Sequence, residues 1–238
     1  VQMLNEAEII IGVDTIILPG VVLAATDGPI VIGRGARVLP HVYIQGPACV
    51  GDGTLVKAGA RIYEGTTIGP VCKVAGEIDA SIIHGYSNKQ HDGFLGHAYL
   101  GQWINLGAGT TNSDLKNTYG PVAVQLHDRL IDTGLTFVGL FMGDYVKSAI
   151  NTVFNTGTVV GFSSNVVASG FPPKFIPSFC WCGPDGMTEY RCDKALEVAQ
   201  RVMARRKVTM GPAETARFVR VFEETTTERT DRMGRTDR

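Results

Sequence analysis

"IGRGARVLPHVYIQGPACVGDGTLVKAGARIYEGTTIGPVCKV", residues 32–74, carries an aliphatic residue at every sixth position: Ile32, Val38, Ile44, Val50, Val56, Ile62, Ile68 and Val74. A spacing of six is neither the 3.6 of a helix nor the 2 of a simple strand. It fits a chain whose short strands each turn a corner before the next begins. Gly33, Gly51 and Gly69 recur at intervals of eighteen directly after members of this series. Three hexads therefore make one coil with three sides. Stacked coils pair as parallel strands about 4.8 Å apart, with one aliphatic per side turned inward. One glycine per coil suits a corner that needs positive φ or close approach of backbone.

The same phase extends outward from this stretch. It is present earlier at Ile11, Ile17 and Leu23, with Gly12, before an insert near "ATDGP". After a slip around residues 75–93 it returns as Phe94, Leu100 and Leu106. It recurs less regularly at Met142, Phe154, Val160 and Val166, with Gly143 and Gly161 eighteen apart. Between these blocks "SDLKNTYGPVAVQLHDRLIDTG" breaks the repeat, and its alternating "VAVQL" predicts a hairpin or long loop. The prolines of "GFPPKFIP" are expected to end the coil. Asp193 reads as the N-cap of a helix through "KALEVAQRVMARRK", with Leu196, Val202 and Met203 near one face. A second helix is expected from Pro212 through "AETARFVRVFEE". The tail "TTTERTDRMGRTDR" lacks an apolar period and is expected to be disordered. The reading is a mainly-β chain: a parallel β-helix over 1–190 with a hairpin or loop insertion, two C-terminal α-helices in 191–225, and a disordered tail over 226–238.

Composition narrows the function classes. The 238 residues are 44% hydrophobic and 19% charged, as in a soluble globular domain. A formal net charge of −1 gives no reason to expect nucleic acid or a membrane surface as partner. No aliphatic run is long enough for a membrane span, and no signal peptide is visible. The chain opens at Val1 rather than Met, which leaves room for an upstream segment. Five cysteines (Cys49, Cys72, Cys180, Cys182 and Cys192) form an odd set without CxxC spacing, so reduced thiols in a cytoplasm are the plain reading. The CxC of Cys180 and Cys182, with Cys192 nearby, is poor zinc spacing, and no metal is expected.

These hexads resemble those of the hexapeptide-repeat acyltransferases, which are left-handed parallel β-helices. The hand comes from the resemblance, since the usual crossover rule would give a right-handed coil. Within that family, "HDGFLG" followed by "NLGAGT" resembles the acetyltransferase half of bifunctional UDP-N-acetylglucosamine pyrophosphorylase/glucosamine-1-phosphate N-acetyltransferases. The longer segments "GYSNKQHDGFLGHAYLGQWINLGAGTTNSDLKN" and "NTGTVVGFSSNVVASGFPPKFIPSF" are similar to a divergent bacterial branch named as sugar nucleotidyltransferases. The resemblance covers roughly residues 10 to 207. It implies an acetyl-CoA-dependent N-acetyltransferase acting on an amino sugar phosphate of the glucosamine-1-phosphate type, in nucleotide-sugar and cell-envelope biosynthesis. It also implies a homotrimer with acyl-CoA sites between subunits. The glycine-rich nucleotidyltransferase signature of the family is absent, so this chain by itself is not expected to transfer a nucleotidyl group.

The resemblance assigns roles to particular residues. His91, counted back from "GAGT", matches the catalytic histidine, and an imidazole titrates in the range needed to take a proton from an amine. His97, in "GHAYLG", is the alternative. Asn105 matches the substrate-contacting asparagine, and Ala108 and Gly109 match backbone positions that line the thioester of acetyl-CoA, where exposed N–H groups can face an oxyanion. Phe94 stands where the family has a tyrosine. Glu77 and Asp79 lie near the family's phosphate-binding lysine, so the basic candidates become Lys89, Lys116 or Lys174. Asn112 joins Asn105, Phe94, Lys89 and Lys116 among the substrate contacts. Asp92 is a possible orienting group for His91, although neighbours along a strand face opposite sides.

Each residue also has a plainer reading. His91 fits an exposed loop, Asn105 an internal asparagine ladder, and "GAGT" a tight corner. His41, His84 and His127 read as surface or packing residues. A γ-class carbonic anhydrase, another left-handed β-helix, needs two zinc histidines spaced five apart. Here the near pairs are seven apart (His84, His91) and six apart (His91, His97). The remaining alternative is a non-catalytic trimerisation or regulatory module of a sugar nucleotidyltransferase.

Overall fold

The computed structural model describes residues 1–126 and 128–233. His127 and residues 234–238 lie outside the described residues, and so does the end of the expected tail. The chain winds as a parallel β-solenoid with three faces. The first face stacks Gln2–Leu4, Val22–Ala24, Tyr43–Gln45, Arg61–Ile62, Glu77–Asp79 and Phe94–Gly96. The second is a nine-stranded parallel sheet running from Ile9–Ile11 to Phe175–Ile176. The third begins at Ile16–Ile17 and passes through Lys73–Val74 and Asn88–Lys89. Bridges from Asn88 to Asn105 and from Asn105 to Lys147 carry it onward to Cys180–Gly183.

Inside the coil the aliphatic column is buried as the hexads require: Ile32, Val38, Ile44, Val50, Val56, Ile62, Ile68 and Val74 are each at most 1% exposed. The once-per-coil glycines serve close approach rather than positive φ. A Cβ at Gly51 would lie 2.6 Å from the backbone carbon of Gly69 and the nitrogen of Pro70.

The slip at 75–93 has a physical cause. The coil continues there, but two successive sides are shorter than six residues, by two before Ile78 and by one before Ile83, so the inward positions after Val74 are Ile78 and then Ile83. The next inward position is Lys89, in register with Val74 and 3% exposed. Leu95, not Phe94, is the buried residue on the following side, paired with Ile78. Polar side chains also fill the interior at Asn112 and Ser148.

Three other expectations change. The prolines of 172–177 do not end the coil, because Phe175–Ile176 adds a parallel strand between Pro173 and Pro177 and Cys180–Gly183 adds another after them. An antiparallel return strand, Gly186–Glu189, then closes the edge. The first helix, α1 (Cys192–Ala204), is preceded by Arg191 in the N-cap position, and Asp193 sits in its first turn paired with Arg191. The second, α2 (Pro212–Glu224), begins at the expected proline. The tail is not disordered over its described part: a third helix, α3, runs over Thr226–Met233. Its buried anchor is a cation, with Met233 packed on the coil core beside it. Arg229 is 2% exposed and donates to Glu189, Thr225 and the Phe222 carbonyl, with its guanidinium 4.0 Å from the Phe222 ring centroid. The interrupting segment forms the expected hairpin, Ala123–Leu126 with Arg129–Asp132.

The helices dock on a column of aromatic corner residues. Tyr86, Trp103, Tyr145 and Phe179 all have φ between 54° and 64°, a region uncommon for non-glycine residues. Tyr86 and Trp103 stack at 4.2 Å, and Tyr145 packs edge-on against Phe218 of α2. The Tyr145 hydroxyl donates to Glu214 of α2 at 2.6 Å. These large rings at a strained corner recur because each covers the next and together they form the apolar surface that α1 and α2 bury. The C-terminal end of α1 is thereby brought over the third face.

Candidate active site

His91 lies just past the inward Lys89, where the third face turns toward the first. The Lys89 ammonium donates to the His91 carbonyl at 2.9 Å and to the Ala75 carbonyl at 3.1 Å. Burial lowers its pKa to about 8, partly offset by Asp92. Lys89 is therefore not available to a substrate phosphate. It fixes the backbone beneath His91.

The His91 side chain is exposed and lines a groove of about 410 Å³ with Leu39, Lys57, Ala75, Asp92, Ala108 and Gly109. The His91 ring has no hydrogen-bond partner among the described residues, and Asp92, although it shares the groove, does not bond to it. The two matched backbone positions differ. The Gly109 N–H is already used, donating to the Asp92 carbonyl at 3.1 Å. Of the two matched N–H groups, only that of Ala108 is left without a partner among the described residues.

The other expected site residues disperse. Asn112 is 4% exposed and clamps the backbone, accepting from the Gly96 N–H at 3.0 Å and donating to the Gly96 carbonyl at 2.9 Å. Its amide is committed to the backbone of the coil. Asn105 is the outward residue of the pair, exposed on the third face and accepting from Asn88 at 3.4 Å; it is no internal ladder. It lines a second pocket that shares Gln90 with the His91 groove. Lys116 donates to the Pro121 carbonyl within the excursion, beside Lys174. Lys174 lines a cavity of about 880 Å³ near the C-terminal end, to which no histidine contributes. These two lysines are not brought to His91.

His97 is placed differently. Its Nδ1 lies 2.8 Å from Asp114 Oδ2, and its ring stacks on Phe137 at 5.2 Å. Asp79, beside it, has its pKa raised by burial and by neighbouring carboxylates, against the lowering effect of His97. Glu77 pairs with Arg61 at 2.8 Å. Phe94 is partly buried and its ring covers Gly96. This first-face cluster is acidic and aromatic, a poor home for a phosphate.

His84 accepts or donates a hydrogen bond with Tyr99 at 2.8 Å, and His41 is exposed at a corner. Cys180 and Cys182 turn into the coil. Burial pushes the Cys180 thiol up to about 12, so both remain protonated thiols. Among the described residues no group of three or more His, Cys, Asp or Glu side chains is placed to hold a metal, and no helix is long and apolar enough to cross a membrane.

Comparison with known proteins points to one set of relatives. The chain is similar to bifunctional protein GlmU. The GlmU of Acidithiobacillus ferrooxidans is 37% identical over 81 residues, which are 33% of this chain and 18% of that protein. That of Carboxydothermus hydrogenoformans is 33% identical over 134 residues, 48% of this chain and 29% of the relative. That of a Synechococcus species is 26% identical over 170 residues, 65% of this chain and 34% of the relative. The chain thus spans between about a fifth and a third of the length of these curated relatives. No family model matches it.

Sequence reasoning missed Lys57, Gln90, Lys73, Lys147, Arg205 and Arg206. The outward-facing lysines were readable from the hexad phase, since Lys73 and Lys147 each precede an inward residue. The arginines were not, because their place depends on how α1 docks.

Proposed function

We propose that this chain is an acyltransferase that moves an acetyl group from acetyl-CoA to the amine of an amino sugar. The observation that carries the reading is the His91 groove, which an accessible imidazole and Ala108, whose N–H has no partner among the described residues, both line. Leu39, Ala75 and the small side chain of Ala108 give it a narrow apolar wall suited to a pantetheine arm, with Lys57 alongside for the acidic end of the donor. The amine attacks the thioester carbonyl, a C–N bond forms, and the C–S bond breaks to release CoA. His91 accepts the proton lost from the nitrogen, while the Ala108 N–H faces the developing oxyanion. Lys89 holds the carbonyl of His91 and so positions the loop; it is not a catalytic residue.

The test is release of free CoA from acetyl-CoA in the presence of glucosamine-1-phosphate or glucosamine. Turnover with an amino sugar supports the reading. Absence of both turnover and acetyl-CoA binding would overturn it.

A second reading rests on the second face. Its outward column runs through Ile10, Val31, Cys49, Thr67, Ile82 and Tyr99 in continuous register, and Ile10, Val31, Ile82 and Tyr99 are exposed. Such a flat apolar stripe suits packing between copies, as in a homotrimer. A trimer that binds no acetyl-CoA would favour a non-catalytic assembly module.

A further inference from the structure

The pocket that shares Gln90 with the His91 groove has a distinct chemistry. It is about 210 Å³ in volume and lies between the third face and the C-terminal end of α1. Lys73, Lys147, Arg205 and Arg206 line it, together with the amides of Asn105 and Gln90, and no carboxylate does. None of the four cations forms an ion pair among the described residues.

Two of the four, Arg206 and Lys147, are anchored in place. Arg206 is tied to Asn88 Oδ1 at 2.6 Å, and Asn88 in turn donates to Asn105 at 3.4 Å. The Lys147 ammonium donates to the Tyr145 carbonyl at 3.0 Å, and burial lowers its pKa to about 8. The stacked rings of Tyr86 and Trp103 close the floor. Four like charges held around one small concavity repel one another, and the low-dielectric wall strengthens that repulsion. A bound dianion would reverse its sign, and guanidinium groups match phosphate oxygens in geometry.

We propose that this pocket binds the phosphate group of a ligand whose other end enters the His91 groove. Under the acyl-transfer reading, on which this last clause rests, the phosphate belongs either to the sugar acceptor or to CoA. A phosphate site here also answers the acidic first face, where Glu77, Asp79 and Asp114 would repel the same group.

The experiment is calorimetric titration at fixed ionic strength with inorganic phosphate, glucosamine-1-phosphate, glucosamine, acetyl-CoA and S-acetylpantetheine. Wild type is compared with the Lys73→Ala/Arg206→Ala double variant and with Arg205→Ala, after melting curves show each to be folded. The expected result is that phosphate-bearing probes bind wild type and lose about tenfold or more in affinity in the double variant, while the phosphate-free probes are unaffected. A loss confined to glucosamine-1-phosphate assigns the pocket to the acceptor, and one confined to acetyl-CoA assigns it to the donor. The proposal is overturned if no phosphate-bearing probe binds wild type, or if folded variants bind as tightly as wild type. Turnover measured on the same samples separates the two claims. A wild type that binds phosphate through these residues without acyl transfer refutes the reaction and leaves the pocket. An active enzyme whose phosphate affinity ignores the substitutions refutes the pocket and leaves the reaction.

Discussion

The ammonium of Lys89 lies 2.9 Å from the carbonyl oxygen of His91, so a buried cation in the core holds the backbone of the residue that reaches into the groove. Few interior positions of a coil this apolar would accept a lysine, and the carbonyl of Ala75 supplies the second of its two bonds. The arrangement has a consequence for stability. The Lys89 pKa falls from 10.5 in the unfolded chain to about 8 when folded. The charged form is therefore disfavoured by folding. The resulting penalty is full below about pH 8 and fades as pH rises toward 10.5. Its upper limit is on the order of 3 kcal/mol. Urea unfolding between pH 7 and 10.5 is expected to show wild type gaining stability relative to Lys89→Met. Lys147, shifted the same way, leaves a smaller slope in the variant. Parallel pH profiles would contradict this account.

Asn112 offers a test of the interior clamp. Replacing it with alanine leaves the buried N–H and carbonyl of Gly96 without their side-chain partner. Asn112→Ala is expected to cost about 2–4 kcal/mol in chemical denaturation, since each orphaned buried group costs about 1–3 kcal/mol. A cost below about 0.5 kcal/mol would place Asn112 outside the clamp and reopen a role in binding.

Arg229 is the buried anchor of the third helix. Arg229→Ala removes four hydrogen bonds and the guanidinium contacts with the Phe222 and Phe179 rings at once. Amide exchange across Thr226–Met233 should then approach that of an unfolded segment, while the coil keeps its protection. Unchanged exchange in α3 would show that something other than Arg229 docks it.

Gly51 tests the close stacking of coils. A methyl there meets the Gly69 and Pro70 backbone at 2.6 Å, with no side chain able to move aside. Gly51→Ala is expected to destabilise by about 2 kcal/mol or more and to lower the melting temperature by several degrees. Gly35→Ala gives a control in which no neighbour lies within 4 Å but φ is +61°, so only backbone strain contributes.

The coil was legible because its rule is local: each inward position is filled by an aliphatic, and the period survives in the sequence. It became illegible where the interior turned polar. Lys89 and Asn112 look like site residues in a polar stretch, yet both face inward and serve the scaffold. Asn105 and Asn112 carry the same side chain but face opposite ways, since Asn112 continues the inward hexad phase of Leu100 and Leu106 while Asn105 precedes an inward residue. The basic pocket was hidden because it joins residues 73 and 206 through the docking of a helix. Arg229 escaped because a buried cation leaves no apolar period to read.

The acyl-transfer reading meets its most direct test in His91→Ala, measured for CoA release and for acetyl-CoA binding side by side with His97→Ala. Loss of the base is expected to lower turnover by about 100-fold or more, with acetyl-CoA affinity retained and His97→Ala less affected. Full turnover by a folded His91→Ala variant would contradict the account.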